Sequence, residues 1–141
     1  MSTPPLLFPR RAHLRRAAEF QVVFAVGRRV SGSCFRLHAH LPADATETRL
    51  GVTVSKRVDK SAVVRNRLRR QVKEAFRLQR TDLAAGDYVF VAKPDAAKAD
   101  RHAVRSELLS LLARARTLKP EFPTGTMPPS VANPDRKPTD V

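Results

Sequence analysis

The chain has 141 residues, enough for one domain whose core needs neither metal nor disulfide staples. Its formal net charge is +14, its sequence pI is near 11.4, and 42% of its residues are hydrophobic. A compact surface with that charge repels itself unless something acidic neutralises it, so the partner classes left are nucleic acid and anionic membrane. Membrane is the weaker of the two, because no stretch nears the roughly 20 apolar residues of a spanning helix. The Leu6-Leu7-Phe8 run lies between prolines and is too short for a signal-peptide core. The single cysteine, Cys34, excludes an intramolecular disulfide and suits a reducing cytosol, which makes a cytoplasmic location the expectation.

Composition predicts three segments. Residues 1–13 form a Pro-containing disordered arm, residues 14–118 the folded domain, and residues 119–141 a disordered tail with six prolines. The first periodic element is a helix over Arg16–Val26, closed by Gly27 as a C-terminal cap, with Phe20 and Phe24 on one face. Ser33–Leu41 alternates. Phe35, Leu37, Ala39 and Leu41 lie on a buried side, and Arg36, His38 and His40 on a polar one. Arg49–Ser55 is a second strand with Leu50, Val52 and Val54 inward. Ser61 then caps a helix over Ala62–Arg80. Gly86-Asp87 reads as a turn, and Tyr88–Ala92 as a strand buried on both faces. A last helix spans Asp100–Leu118, with Val104, Leu108, Leu111, Leu112 and Ala115 on one stripe. The order α-β-β-α-β-α makes the fold class α+β, a single small domain of mixed sheet packed with helices.

The charge is concentrated between Lys56 and Arg80, where ten Lys or Arg face only Asp59 and Glu74, a net +8 of the total. At about 100° per residue, Val64, Leu68, Val72, Ala75 and Phe76 share one face of this helix. Asn66, Arg70, Lys73 and Arg77 project from the opposite face, with Arg69 and Arg80 beside them and Arg65 and Arg67 flanking the apolar side. A helix built only for solubility interleaves Glu with Lys, whereas here like charges four apart go uncompensated. Arginine outnumbers lysine, as suits bidentate contacts to phosphate and stacking on bases. A second constellation sets Phe20 and Phe24 beside Arg36, His38 and His40, a mixture suited to single-stranded nucleic acid. From the residues alone, core is the favoured reading of that Phe pair. No Gly-rich phosphate loop, nucleophile elbow or metal-ligand cluster stands in the sequence.

Val54-Ser55-Lys56-Arg57, then Ala62-Val63-Val64-Arg65-Asn66-Arg67-Leu68-Arg69-Arg70 and Ala75-Phe76-Arg77, resemble the signature of the bacterial ribonuclease P protein component. Leu14-Arg15-Arg16, Glu19–Phe24 and Gly86-Asp87-Tyr88 resemble that family's first helix and last strand. The resemblance implies a sheet similar to a domain of a small-subunit ribosomal protein, with a left-handed β-α-β crossover. It implies a protein subunit, monomeric by itself, that works with a catalytic RNA and Mg²⁺ at that RNA to remove the 5′ leader of precursor tRNA. By the same resemblance Lys56, Arg57, Arg65, Asn66, Arg67, Arg69, Arg70, Lys73 and Arg77 contact RNA. Phe20, Phe24, Arg36 and His38 would line the leader cleft, reversing the core reading of the phenylalanines. At the last two positions the family pattern has an apolar residue and a tyrosine, so this cleft departs from it. The alternatives are a ribosomal or general RNA-binding module on a similar fold and a nonspecific duplex-DNA binder.

Overall fold

The computed structural model describes residues 12–119, and the expected disordered segments fall mostly on residues 1–11 and 120–141, outside the described residues. The ordered chain begins before Leu14. Ala12 is buried, and His13 forms an isolated parallel bridge with Leu50. Helix α1 spans Ala17–Val26 and leads directly into strand β1, Arg28–Ser31. Strand β2 spans Phe35–His40, β3 Thr48–Thr53 and β4 Gly86–Ala92. Helix α2 occupies Ala62–Gln79, α3 Pro94–Lys98 and α4 Arg101–Ala115.

The four strands run in the order β1-β2-β4-β3. The pairs β1–β2 and β2–β4 are antiparallel, and β3–β4 is parallel. Parallel neighbours cannot be joined by a tight turn. The connection from β3 to β4 is therefore a long crossover, and α2 is its helix. The register decides which side chains share a face, because successive residues of a strand point to opposite sides. Leu37 pairs with Phe90, Ala39 with Tyr88 and Leu50 with Tyr88, which places them together with Val30 on one face. There they join Leu68, Val72 and Phe76 of α2 and Val104, Leu108 and Leu111 of α4 in the main core. On the other face His38 pairs with Val89 and Gly51 with Val89, and a smaller cluster of Leu14, Val23, Val89 and Phe20 packs there. Central β4 is buried on both sides, as its apolar run requires: Tyr88, Val89 and Phe90 are all fully covered.

The structure departs from the sequence reading at three places and bears out a fourth. Strand β1 has only one apolar inward residue, Val30, and its pairing is supplied by β2. Gly86-Asp87 opens β4 instead of turning: Gly86 pairs with Thr48, and a Cβ there would lie 2.5 Å from the carbonyl oxygen of His40. Gly27 caps α1 as expected, in an extended conformation with its N–H donating to the Val23 carbonyl. Glycine is needed there because a Cβ would sit 2.4 Å from that same oxygen. Residues Pro94–Lys98 form the short helix α3, with proline at its first turn, where a missing N–H costs nothing.

Candidate RNA interface

Helix α2 begins at Ser61, whose hydroxyl accepts the Val64 N–H at 3.4 Å. Leu68, Val72, Ala75 and Phe76 are buried against the sheet, with Val64 packed at the margin. Asn66, Arg70 and Lys73 stand exposed on the opposite side. Lys56 and Arg57 are exposed in the turn that precedes the helix.

The remaining cations are not equally available. Arg65 donates from one guanidinium nitrogen to the carbonyls of Asp59 (3.0 Å) and Lys60 (2.8 Å), pinning the entry loop to the helix. Arg69 bridges the Asn66 side chain (2.8 Å) and the Val54 carbonyl (3.3 Å) at the end of β3. Arg80 reaches the Thr48 carbonyl (2.9 Å) and Glu47 (3.0 Å) at the start of β3. Arg77 is paired with Glu74 at 2.7 Å, and this contact holds the Glu74 carboxyl below its usual pKa. The basic helix thus has a stapling flank toward β3, where Arg69 and Arg80 tie down strand ends. Its outer stripe carries Arg70 and Lys73 toward solvent, and Arg67 points to the other flank, toward α4.

The cleft lies on the opposite face of the sheet, under α1. Glu19 anchors the start of that helix. Its carboxylate accepts the N–H groups of Arg15 and Arg16 at 3.1 Å each, and these bonds chiefly lower its pKa. Arg49 then joins Glu19 (3.0 Å) to Asp87, which it grips through two bonds of 2.8 Å. With α1 fixed, Phe20 lies over Gly51, where a Cβ would stand 2.6 Å from its ring. Phe24 meets His38 edge to face, with ring centroids 4.9 Å apart, and remains 41% exposed.

The polar strand face is therefore not an open one: α1 covers His38, which is only 6% exposed. Burial, then the nearby charges of Arg36 and Arg29, pushes its pKa down to about 4. The imidazole is thus neutral at ordinary pH and accepts a 2.8 Å hydrogen bond from the Arg36 guanidinium. Arg36 is thereby held on the cleft wall beside its strand partner Val91.

The basic helix and the cleft meet at the edge of the sheet. A cavity of about 360 Å³ beside β3 is lined by Leu14, Arg15, Phe20, Gly51, Arg69 and Lys73, among others. The sequence reading assigned Phe20 and Lys73 to separate surfaces, and the order β2-β4-β3 brings them to one hollow because β3 is an edge strand. It also gave no site role to Arg15, Gly51 or Val91. Only the strand register could have shown that Gly51 and Val91 flank the phenylalanines, and only the docking of α1 that Arg15 lines the same hollow.

The family model for ribonuclease P matches residues 8–116. The chain belongs to the ribonuclease P protein family. The ribonuclease P protein component of Xanthomonas campestris pv. campestris (strain B100) is 43% identical over 131 residues, covering 93% of this chain and 87% of that protein. That of Xylella fastidiosa (strain 9a5c) is 42% identical over 111 residues, covering 79% and 81%. Among solved structures, the RNase P protein from Thermotoga maritima in complex with 1-(4-fluorophenyl)-2-thiourea matches with a TM-score of 0.62 and 28% identity, over 72% of this chain and 97% of that one. The Staphylococcus aureus RNase P protein shares the fold, with a TM-score of 0.68 at 23% identity over 75% and 98%. The α+β fold with its mixed four-stranded sheet is that of these ribonuclease P proteins.

Proposed function

We propose that the chain binds the catalytic RNA of ribonuclease P through α2 and the 5′ leader of precursor tRNA through the α1 cleft. The RNA performs the hydrolysis that frees the mature 5′ end. The observation that carries this reading is the hollow at the edge of β3. There an exposed lysine and arginines adjoin an aromatic ring, the combination a nucleotide strand meets with its phosphates and its bases. Lys56, Arg57, Asn66, Arg70 and Lys73 offer donors directly. Arg65 and Arg69 keep loop and strand in place, with part of each guanidinium left for phosphate. Phe20, Phe24 and Arg36 offer a stacking wall for a single strand, and His38 sets the pose of Arg36.

Mg²⁺ belongs to the RNA in this reading. Among the described residues no group of three or more His, Cys, Asp or Glu could hold a metal ion. The protein contributes by neutralising phosphates and holding the leader, as a monomer, in the cytoplasm. No helix among the described residues is long and apolar enough to cross a membrane. The test is cleavage of precursor tRNA by the cognate RNA subunit at low Mg²⁺. Adding the chain raises the rate for leader-bearing substrate; no stimulation would sink the proposal.

A further inference from the structure

A groove of about 380 Å³ runs between α2 and the start of α4, lined by Arg67, Arg70, Gln71, Glu74, Arg101 and Arg105, with Ala75 at its floor. Four arginines from two helices converge on it. Arg101 and Arg105 are four apart and so lie on one face of α4, as Arg67 and Arg70 lie toward one side of α2. Nothing in the amino-acid pattern links the two pairs, because 30 residues and strand β4 separate them. Their apposition is fixed by the packing of α4 beside α2, where the Gln71 amide donates to the Arg101 carbonyl at 3.4 Å.

Four arginine charges in this groove face a single carboxylate. Among the described residues none of the four guanidinium groups has a hydrogen-bond or ion-pair partner. The one acid on the wall, Glu74, is engaged chiefly by Arg77 at 2.7 Å and also feels the charge of Arg105. Asp100, at the head of α4, is turned back to cap its own helix, accepting the Ala103 N–H at 2.7 Å. The first turn of α4 adds the positive end of a 15-residue helix. Gln71 Oε1 is buried in the wall without a hydrogen-bond partner among the described residues, an acceptor that a ribose 2′-hydroxyl can satisfy and a phosphate oxygen cannot. Like charges gathered this way repel one another, and a polyanion lying along the groove relieves that repulsion. Arginine, with its planar fork of donors, is the cation best matched to phosphate oxygens.

We infer that this groove seats a stretch of phosphodiester backbone of the RNA partner, making α4 a second wall of the RNA-docking surface. The inference rests on the proposed function, and it widens the docking surface from one helix to two. Arg67 and Arg70 approach the backbone from one side, Arg101 and Arg105 from the other.

The test uses the full chain and the cognate RNA subunit, comparing wild type, R101A/R105A, R101K/R105K and R70E for affinity across a salt series. Each lost phosphate contact lowers the log–log salt slope by about one and costs on the order of tenfold in affinity near 0.1 M salt. R101A/R105A should therefore bind roughly ten- to a hundredfold more weakly with a slope shallower by about two, and the lysine pair should recover the slope. Both positions are exposed, so an unchanged thermal midpoint accompanies that loss. If R70E weakens binding and R101A/R105A does not, the α4 wall is overturned while the α2 surface stands, and the groove is left to an acidic protein segment. If neither variant changes affinity, the docking proposal itself fails.

Discussion

The outer side of α2 and the cleft under α1 both face RNA in the proposed function, yet they are built on opposite plans. On α2 the two tasks lie on opposite sides of one cylinder: Leu68, Val72 and Phe76 are buried in the core, and Asn66, Arg70 and Lys73 are exposed. In the cleft the same side chains serve both tasks. Phe20 packs with Leu14, Val23 and Val89 in the minor core and also lines the hollow at the β3 edge. His38 is buried and still sets the position of Arg36. Folding and binding should thus be separable on α2 and entangled in the cleft.

The largest effect expected of that contrast is on α2. Arg70→Glu removes an exposed donor and adds repulsion toward phosphate. It should weaken association with the RNA subunit on the order of a hundredfold near 0.1 M salt. Stability should stay within about 0.5 kcal/mol of wild type, because the side chain carries no packing. Titration of labelled RNA alongside thermal unfolding gives both numbers, and a large loss of stability would erase the separation.

Phe20→Ala should move both readouts. A fully buried Phe→Ala costs about 3–5 kcal/mol, and for this half-buried ring about 2 kcal/mol is expected. Leader-bearing precursor tRNA should also lose affinity relative to leaderless tRNA, by about 1 kcal/mol for one stacked base. Equal losses for the two substrates would reduce Phe20 to a core residue, and the contrast would then rest on Phe24.

Acidification probes the cleft without mutation. The folded pKa of His38, about 4, lies below its ordinary 6.5, so as pH falls the unfolded chain takes up this proton first. Its contribution is full above pH 6.5 and is lost progressively down to about pH 4, on the order of 3 kcal/mol in all. Denaturant unfolding of wild type and His38→Gln over that range should show the pH slope in the former and a reduced one in the latter. The leader preference of the folded wild type should weaken only as pH falls through about 4, where His38 takes up its proton in the folded protein and no longer accepts from Arg36. RNA-subunit binding through α2 has no such group.

How far each surface was legible in the sequence follows from the same difference. Helix α2 could be read because its apolar period, its cap and its charge lie within 20 consecutive residues, and local spacing determines its faces. The cleft is assembled from α1, β2, β3 and β4, so its floor of Gly51, Val89 and His38 exists only after the register is set. Alternation correctly put His38 opposite Leu37 on the polar side, but it could not show that this side is covered, because what covers it is a helix some 15 residues upstream. The same holds for the turn after β1. Its N–H groups at Ser33, Cys34 and Phe35 are satisfied by Glu107, more than 70 residues away, at 3.1, 2.7 and 2.7 Å. Burial pushes that carboxyl up, and those bonds with the Ser33 hydroxyl hold it below the usual carboxylate pKa. A short strand such as β1, with one apolar inward residue, carries no periodic signal. Neither do arginines that fold back to carbonyls, which look in sequence like arginines that face solvent.

That last ambiguity can be resolved by comparing Arg69 with Arg70, neighbours in sequence with different surroundings. Arg69 is half-buried and donates to Val54 O and Asn66 Oδ1, so Arg69→Ala removes a bond that secures the end of β3 to α2. The Val54 carbonyl can turn to water, and the expected loss is about 1 kcal/mol of stability, the net worth of one such bond. The binding loss should be smaller than for Arg70→Ala, because part of this guanidinium is already spoken for by the strand. Chemical denaturation and RNA titration of the two alanine variants, done side by side, give a two-way comparison. If Arg69→Ala left stability unchanged and lowered affinity as much as Arg70→Ala, the stapling flank would belong to the RNA surface, and folding and binding would be separable over the whole of α2.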